Sequence, residues 1–302
     1  MKCRISAFSI LVAFWGCTHF DSASDVEVGN LGTNPGQPMP EPPVIDPPDP
    51  TSGGFEPPAS LVSRSLMARY MINEDTSGSD TTFVRDFANT PIDVEVKYDS
   101  PDDQFVEING HRGIQFTDPS TEHGLYTPSN DNKFEQRIQN ASSFTFETVV
   151  DIQDNTNRSR LMYLGRKNEF GLLMISTPTD TGSIAMGWKN GERLAQWPVD
   201  YKSLGRMVLT FVIDLENSNR NLRVRLYLNG VFVEPTGIAD IPDGQVLDYL
   251  GEDETELVFA NKADQSAGLE AILYYAALYS TALTNEEVSL NASRLLSDDD
   301  TP

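Results

Sequence analysis

In the stretch GWKNGERLAQWPVDY, residues 187 to 201, Trp188, Asn190, Arg193, Trp197 and Tyr201 stand within a short compass. Aromatic rings offer a platform to a sugar, and amide and guanidinium groups add planar hydrogen bonding, so these five residues are the candidate ligand contacts. Trp188 has a second reading, because Ile184, Met186 and Trp188 alternate along one strand face and would share a core. A different chemistry is suggested by GEDETEL, where Glu252, Glu254 and Glu256 have alternate spacing. Two carboxylates on one strand face at about 5 Å would suit a retaining glycosidase. The segment lacks apolar alternation before Leu257, however, and reads as a solvated acidic turn. No catalytic residue is assigned, and the chain is read as a non-enzyme. His19, His111 and His123 include none beside a cysteine nucleophile, and there is no G-x-S-x-G elbow. His111 and His123 are read as loop residues.

The elements that must position these residues are strands. After Ala59 the chain alternates apolar and polar residues in short runs separated by Gly, Asp, Asn and Pro, the pattern of an all-β sandwich or barrel. In SFTFETVVDI, residues 143 to 152, Phe144, Phe146, Thr148, Val150 and Ile152 share one face. In LRVRLYLNGVFV, Asn229-Gly230 supplies the positive φ angles of a two-residue type I′ hairpin. Helices are expected only as minor pieces, over residues 130 to 140 and after Thr284, where T-N-E-E has the form of a capping box. No repeat of 20 to 50 residues is visible, which removes propellers and solenoids. The fold class is therefore all-β, two packed antiparallel sheets.

The chain has 302 residues with a net charge of -23, which argues against a nucleic-acid partner and against anionic membrane surfaces. Its two cysteines, Cys3 and Cys17, both precede the β region, so that region forms no internal disulfide or thiolate metal site. Residues 1–17 carry Lys2 and Arg4, an apolar run and then Gly16-Cys17, as a secretory signal does. Residues 18–59 include a strap rich in proline and acidic residues that should form an extended spacer. The β domain is set at 60–297 and an acidic tail at 298–302.

Gly16-Cys17 resembles the lipobox of bacterial lipoproteins, which implies lipidation of Cys17, export, and an outer-membrane or cell-surface location with membrane contact only through the lipid. Several segments in order resemble the LamG-like jelly roll of the concanavalin A-like lectin and glucanase superfamily: ARYMINEDTSGSDTTFVRDFANT, NGHRGIQFTD, SFTFETVVDI, VRLYLNGVFV, and most specifically GLEAILYYAALYSTALTNEEV. The resemblance implies a two-sheet jelly roll from about Leu66 to Leu295. It also implies that the acidic loop Asp75 to Asp80, the turn with Asp86 and Asn89, and Glu270 could converge on calcium, a cation that takes oxygen ligands. Glu270 departs from the Asp that many relatives carry in the closing strand. The sequons at Asn140, Asn157 and Asn291 are expected to carry no glycan in a bacterial product. The expected role is surface recognition or adhesion to a polysaccharide or an envelope or matrix protein. The other classes are a glucanase-type hydrolase and a purely structural envelope component.

Overall fold

Each run of alternating residues is short enough to cross a sandwich once, and the chain after residue 60 does so repeatedly. The computed structural model describes residues 60–119, 122–128, 133–154, 158–166, 173–177, 182–188, 192–247 and 255–301. All belong to a compact unit, Phe55–Pro302; a second unit, Met1–Gly54, lies outside the described residues, as do the signal, Cys17 and strap assigned to it.

The first strands are β1 (Leu66–Met71), β2 (Phe83–Val84), β3 (Val94–Lys97), β4 (Gln104–Ile108), β5 (His111–Phe116) and β6 (Gly124–Tyr126). Helix α1 (Lys133–Ile138) leads into β7 (Ser143–Asp154), β8 (Ser159–Arg166), β9 (Leu173–Thr177), β10 (Ser183–Trp188) and β11 (Glu192–Pro198). After α2 (Tyr201–Leu204) come β12 (Met207–Asp214), β13 (Val224–Leu228), β14 (Val231–Val233), β15 (Gly237–Ile238), β16 (Thr255–Phe259), β17 (Glu270–Tyr279) and α3 (Asn285–Ser297). Among the described residues one sheet runs β14-β13-β12-β7-β17-β5-β4, with β1 also on β17, and the other runs β15-β11-β10-β9-β8-β16-β6-β3-β2. All these pairings are antiparallel, giving a jelly-roll-like sandwich.

Alternation sets the core. Phe144, Phe146, Val150 and Ile152 of β7 point between the sheets and meet Phe211, Trp197 and Phe259 from both layers. The opposite face of the first sheet is not solvated, because Val288, Ala292 and Leu295 of α3 close over Val149, Val208, Val212, Tyr275 and Tyr279. The closing helix is thus a structural layer rather than the minor piece expected from the sequence. Its capping box forms as read: Glu287 N donates to Thr284 Oγ1 at 3.3 Å and Thr284 N to Glu287 Oε2 at 2.8 Å.

The Asn-Gly hairpin has φ of 51° at Asn229 and 80° at Gly230, and it closes β13 onto β14. A Cβ at Gly230 would lie 3.1 Å from that of Ala292, so the turn docks directly on α3. The residues taken for an acidic tail also belong to the body. Asp299 is buried, with His111 Nδ1 2.8 Å from Oδ1 and Arg206 Nε donating to Oδ2 at 3.0 Å, while Arg112 Nε donates to Asp300 at 3.0 Å.

Candidate functional site

The proposed aromatic platform faces inward. Register pairs Ile184 with Trp197, so the Trp197 ring shares the core face of Ile184, where it is 0% exposed and stands edge-on to Phe211 at 5.9 Å. Trp188 is 5% exposed and Tyr201 1%, so neither offers a stacking surface. Asn190 lies outside the described residues. Among the described members of the set only Arg193 reaches the surface, its Nη1 donating to Gln196 Oε1 at 2.6 Å. Composition supplied the right residue types, but pairing between strands decided which way they point.

The calcium set is likewise not assembled. Asp86 bridges to Tyr70, whose partner on β17 is Ala276, six residues from Glu270; at about 3.3 Å per residue that separation is roughly 20 Å. The Asp86 carboxylate is engaged already, accepting from Arg69 N at 2.9 Å, Ala88 N at 2.9 Å, Ile92 N at 3.0 Å and Lys133 Nζ at 2.8 Å. The Lys133 ammonium, which also donates to Thr90 O, stands where a cation would bind. Asn89 is exposed beside it. Among the described residues no group of three or more His, Cys, Asp or Glu side chains could hold a metal.

Of the GEDETEL carboxylates, Glu252 and Glu254 lie outside the described residues, and Glu256 sits on β16 opposite Gly165. Of the two histidines, His111 is not a loop residue, whereas His123, just before β6, is one, as read. His111 opens β5, and His123 is fully buried, stacked on Phe116 with ring centroids 4.5 Å apart and its Nδ1 3.6 Å from Asp103. Burial alone would raise the Asp103 carboxyl, but His123 and the N–H groups of Ser100, Asp99 and Thr117 hold it at about 2.

A buried polar network under α3 escaped the sequence reading altogether. Glu147 of β7 accepts from Thr210 Oγ1 at 3.2 Å, Asn291 Nδ2 at 3.0 Å and Tyr279 OH at 3.4 Å. Arg69 donates from Nε to Tyr275 OH at 3.3 Å and from Nη2 to Val62 O at 2.6 Å. Burial drives Glu147 up to about 7 against the pull of these hydrogen bonds and of the Arg69 charge. Between its ordinary value of 4.5 and about 7, the folded protein keeps a proton that the unfolded chain has lost. This stabilising contribution is full below the lower value and is lost as pH rises through the upper one. The difference amounts to about 3 kcal/mol. Glu147→Gln should flatten that part of the stability profile; denaturant midpoints from pH 4 to 8 with the same slope in both proteins would contradict the assignment.

One depression open to a ligand lies among the described residues at one end of the sandwich. Ser142 before β7, Leu215, Glu216 and Ser218 after β12, Arg223 before β13, and Asp243 to Val246 line a depression of about 500 Å³. Its walls are rigidly placed. Ser142 Oγ donates to Glu216 Oε1 at 2.9 Å, and Arg223, buried, donates from Nε to Asn217 O at 2.9 Å and from Nη2 to Asp243 Oδ1 at 2.5 Å. Gly244 turns the chain there with φ of 76°. Leu215 and Val246 give apolar area, and Glu216, Ser218, Asp243 and Gln245 give a ring of hydroxyl, carboxylate and amide groups. No motif marks it, because four separated segments contribute.

No family model matches the sequence, and a search of curated proteins finds no significant relative. Solved structures do resemble it. The Trypanosoma rangeli sialidase in complex with 2,3-difluorosialic acid matches 81% of this chain with a TM-score of 0.52 and 13% identity. The binding domain of botulinum neurotoxin DC in complex with rat synaptotagmin II matches 76% with a TM-score of 0.52 and 10% identity. Both are likenesses of fold alone. The match spans 35% of the sialidase chain and 52% of the toxin chain.

Proposed function

We propose that this chain is a surface-tethered, non-catalytic recognition domain of LamG-like type that binds a polysaccharide, or an envelope or matrix protein, in the depression at the end of the sandwich. The observation that carries the reading is the composition of that depression: fixed polar groups around a small apolar floor, in a volume of about 500 Å³ that would admit a few sugar rings or a peptide turn. The two solved neighbours lend support of a general kind, one holding a sugar derivative and the other a protein. Export, lipidation at Cys17 and display at the outer membrane or cell surface are proposed from the sequence of residues 1–59. The strap would hold the domain up to roughly 100 Å from its anchor. Calcium is not required by this reading. The test is retention on immobilised polysaccharides and envelope proteins, read together with released reducing ends. Retention without release is expected; release of reducing ends would establish a hydrolase instead, and no retention on any member would favour a structural component.

A further inference from the structure

One buried cation has no counterion among the described residues. Arg160 on β8 is 9% exposed and its guanidinium makes one hydrogen bond among the described residues, from Nη1 to Ser159 O at 3.4 Å, while its Nε is buried without a partner. Asp264 attracts it electrostatically, yet the Asp264 oxygens are committed to Lys262 and Ser266. Burial, and then the like charge of Arg158, bring the guanidinium down to about 10. In a chain with 45 acidic residues against 22 Lys and Arg, a buried arginine that no described carboxylate neutralises is a burden that folding does not explain.

Its surroundings are those of a polar strip. Arg160 pairs across β9 with Ser176, and the row continues through Ala185 of β10 and Gln196 of β11. Ile175 and Trp197, the neighbours of Ser176 and Gln196 in sequence, point into the core, so this row lies on the outer face of the second sheet. Gln196 holds Ser183 Oγ at 2.9 Å and accepts from Arg193, which adds a second guanidinium to the same face. We propose that Arg160 is an anion subsite for the carboxylate or sulfate of a sparsely charged acidic saccharide, with Ser176 beside it and Gln196 and Arg193 farther along the row, three strands or roughly 14 Å away. A dense polyanion is excluded by the net charge of -23, whereas a single oxyanion supplies the missing partner and leaves hydroxyls for the other groups of the row. The site shares no residue with the depression at the sandwich end, so either can fail without the other.

The test uses the full chain with sodium glucuronate and glucose 6-sulfate as probes, against glucose and against sodium chloride at equal ionic strength. The melting temperature should rise with at least one of the acidic sugars and with neither control. Arg160→Gln should melt higher than wild type without ligand, because the unpaired charge is gone, and should lose the rise. Arg160→Lys keeps the charge but not the fork, and should weaken binding by roughly tenfold. An undiminished rise in Arg160→Gln would overturn the proposal. So would wild-type NMR spectra in which the Arg160 Nε–H signal, assigned by its absence from Arg160→Lys, stays fixed through both titrations, whether or not the glutamine variant folds.

Discussion

Replacing Trp197 with alanine should lower the unfolding free energy by about 3 to 5 kcal/mol. In a domain of this size each kcal/mol moves the melting temperature by about 2 to 4 °C, so the loss is easily read. The ring is fully buried, lies edge-on to Phe211 and joins both layers of the core, so its removal leaves a cavity between two sheets that cannot easily approach. Trp197→Phe should cost less than its volume change implies. The indole Nε1 is buried and donates to nothing among the described residues, and phenylalanine removes that orphan donor along with part of the ring. Ligand binding per folded molecule should be unchanged in both. A stable Trp197→Ala protein that has lost its ligand would return the residue to the surface role first read from the sequence.

Asp86→Ala is expected to be comparably damaging, about 3 to 5 kcal/mol, because it removes one member of a buried ion pair. Three backbone N–H groups, from Arg69, Ala88 and Ile92, lose their acceptor, and the nearly buried Lys133 ammonium loses its counterion. Asp86→Asn, which keeps an acceptor but not the charge, should fall between. Calcium added to chelated protein should leave the melting temperature unmoved through this site, since Lys133 already supplies the positive charge. A calcium-dependent rise that disappears in Asp86→Ala would show that the metal displaces the lysine.

Local pattern made much of the scaffold legible. Alternation in SFTFETVVDI identified the core face of β7, Asn229-Gly230 specified the hairpin, and T-N-E-E specified the start of α3, because each is a short-range constraint that any tertiary setting must respect. Orientation across strands was not legible. Whether Trp197 faces in or out depends on its pairing with Ile184, thirteen residues earlier, and on a register shift between Met186 and Gly187. Glu147 reads as one polar residue on a solvated face, and only the helix that follows 138 residues later buries it against Asn291. Asp299 and Asp300 read as part of a solvated tail for the same reason: Arg206, His111 and Arg112, their partners, are remote in sequence. Arg160 gave no signal at all, since an arginine without a counterion among the described residues can be recognised only once its neighbours are known.

Whether the depression at the sandwich end holds the ligand is decided by comparing the wild-type protein with a Glu216→Ala, Gln245→Ala double variant on the same polysaccharide and envelope-protein panel. Glu216 is exposed and Gln245 partly so, so both can be removed without opening the core. If the ligand sits there, the double variant should show an unchanged melting temperature, retention weakened by roughly tenfold or more on whichever member binds the wild type, and no reducing ends released by either protein. Equal retention of the two proteins would place the ligand elsewhere on the molecule and contradict the proposed placement.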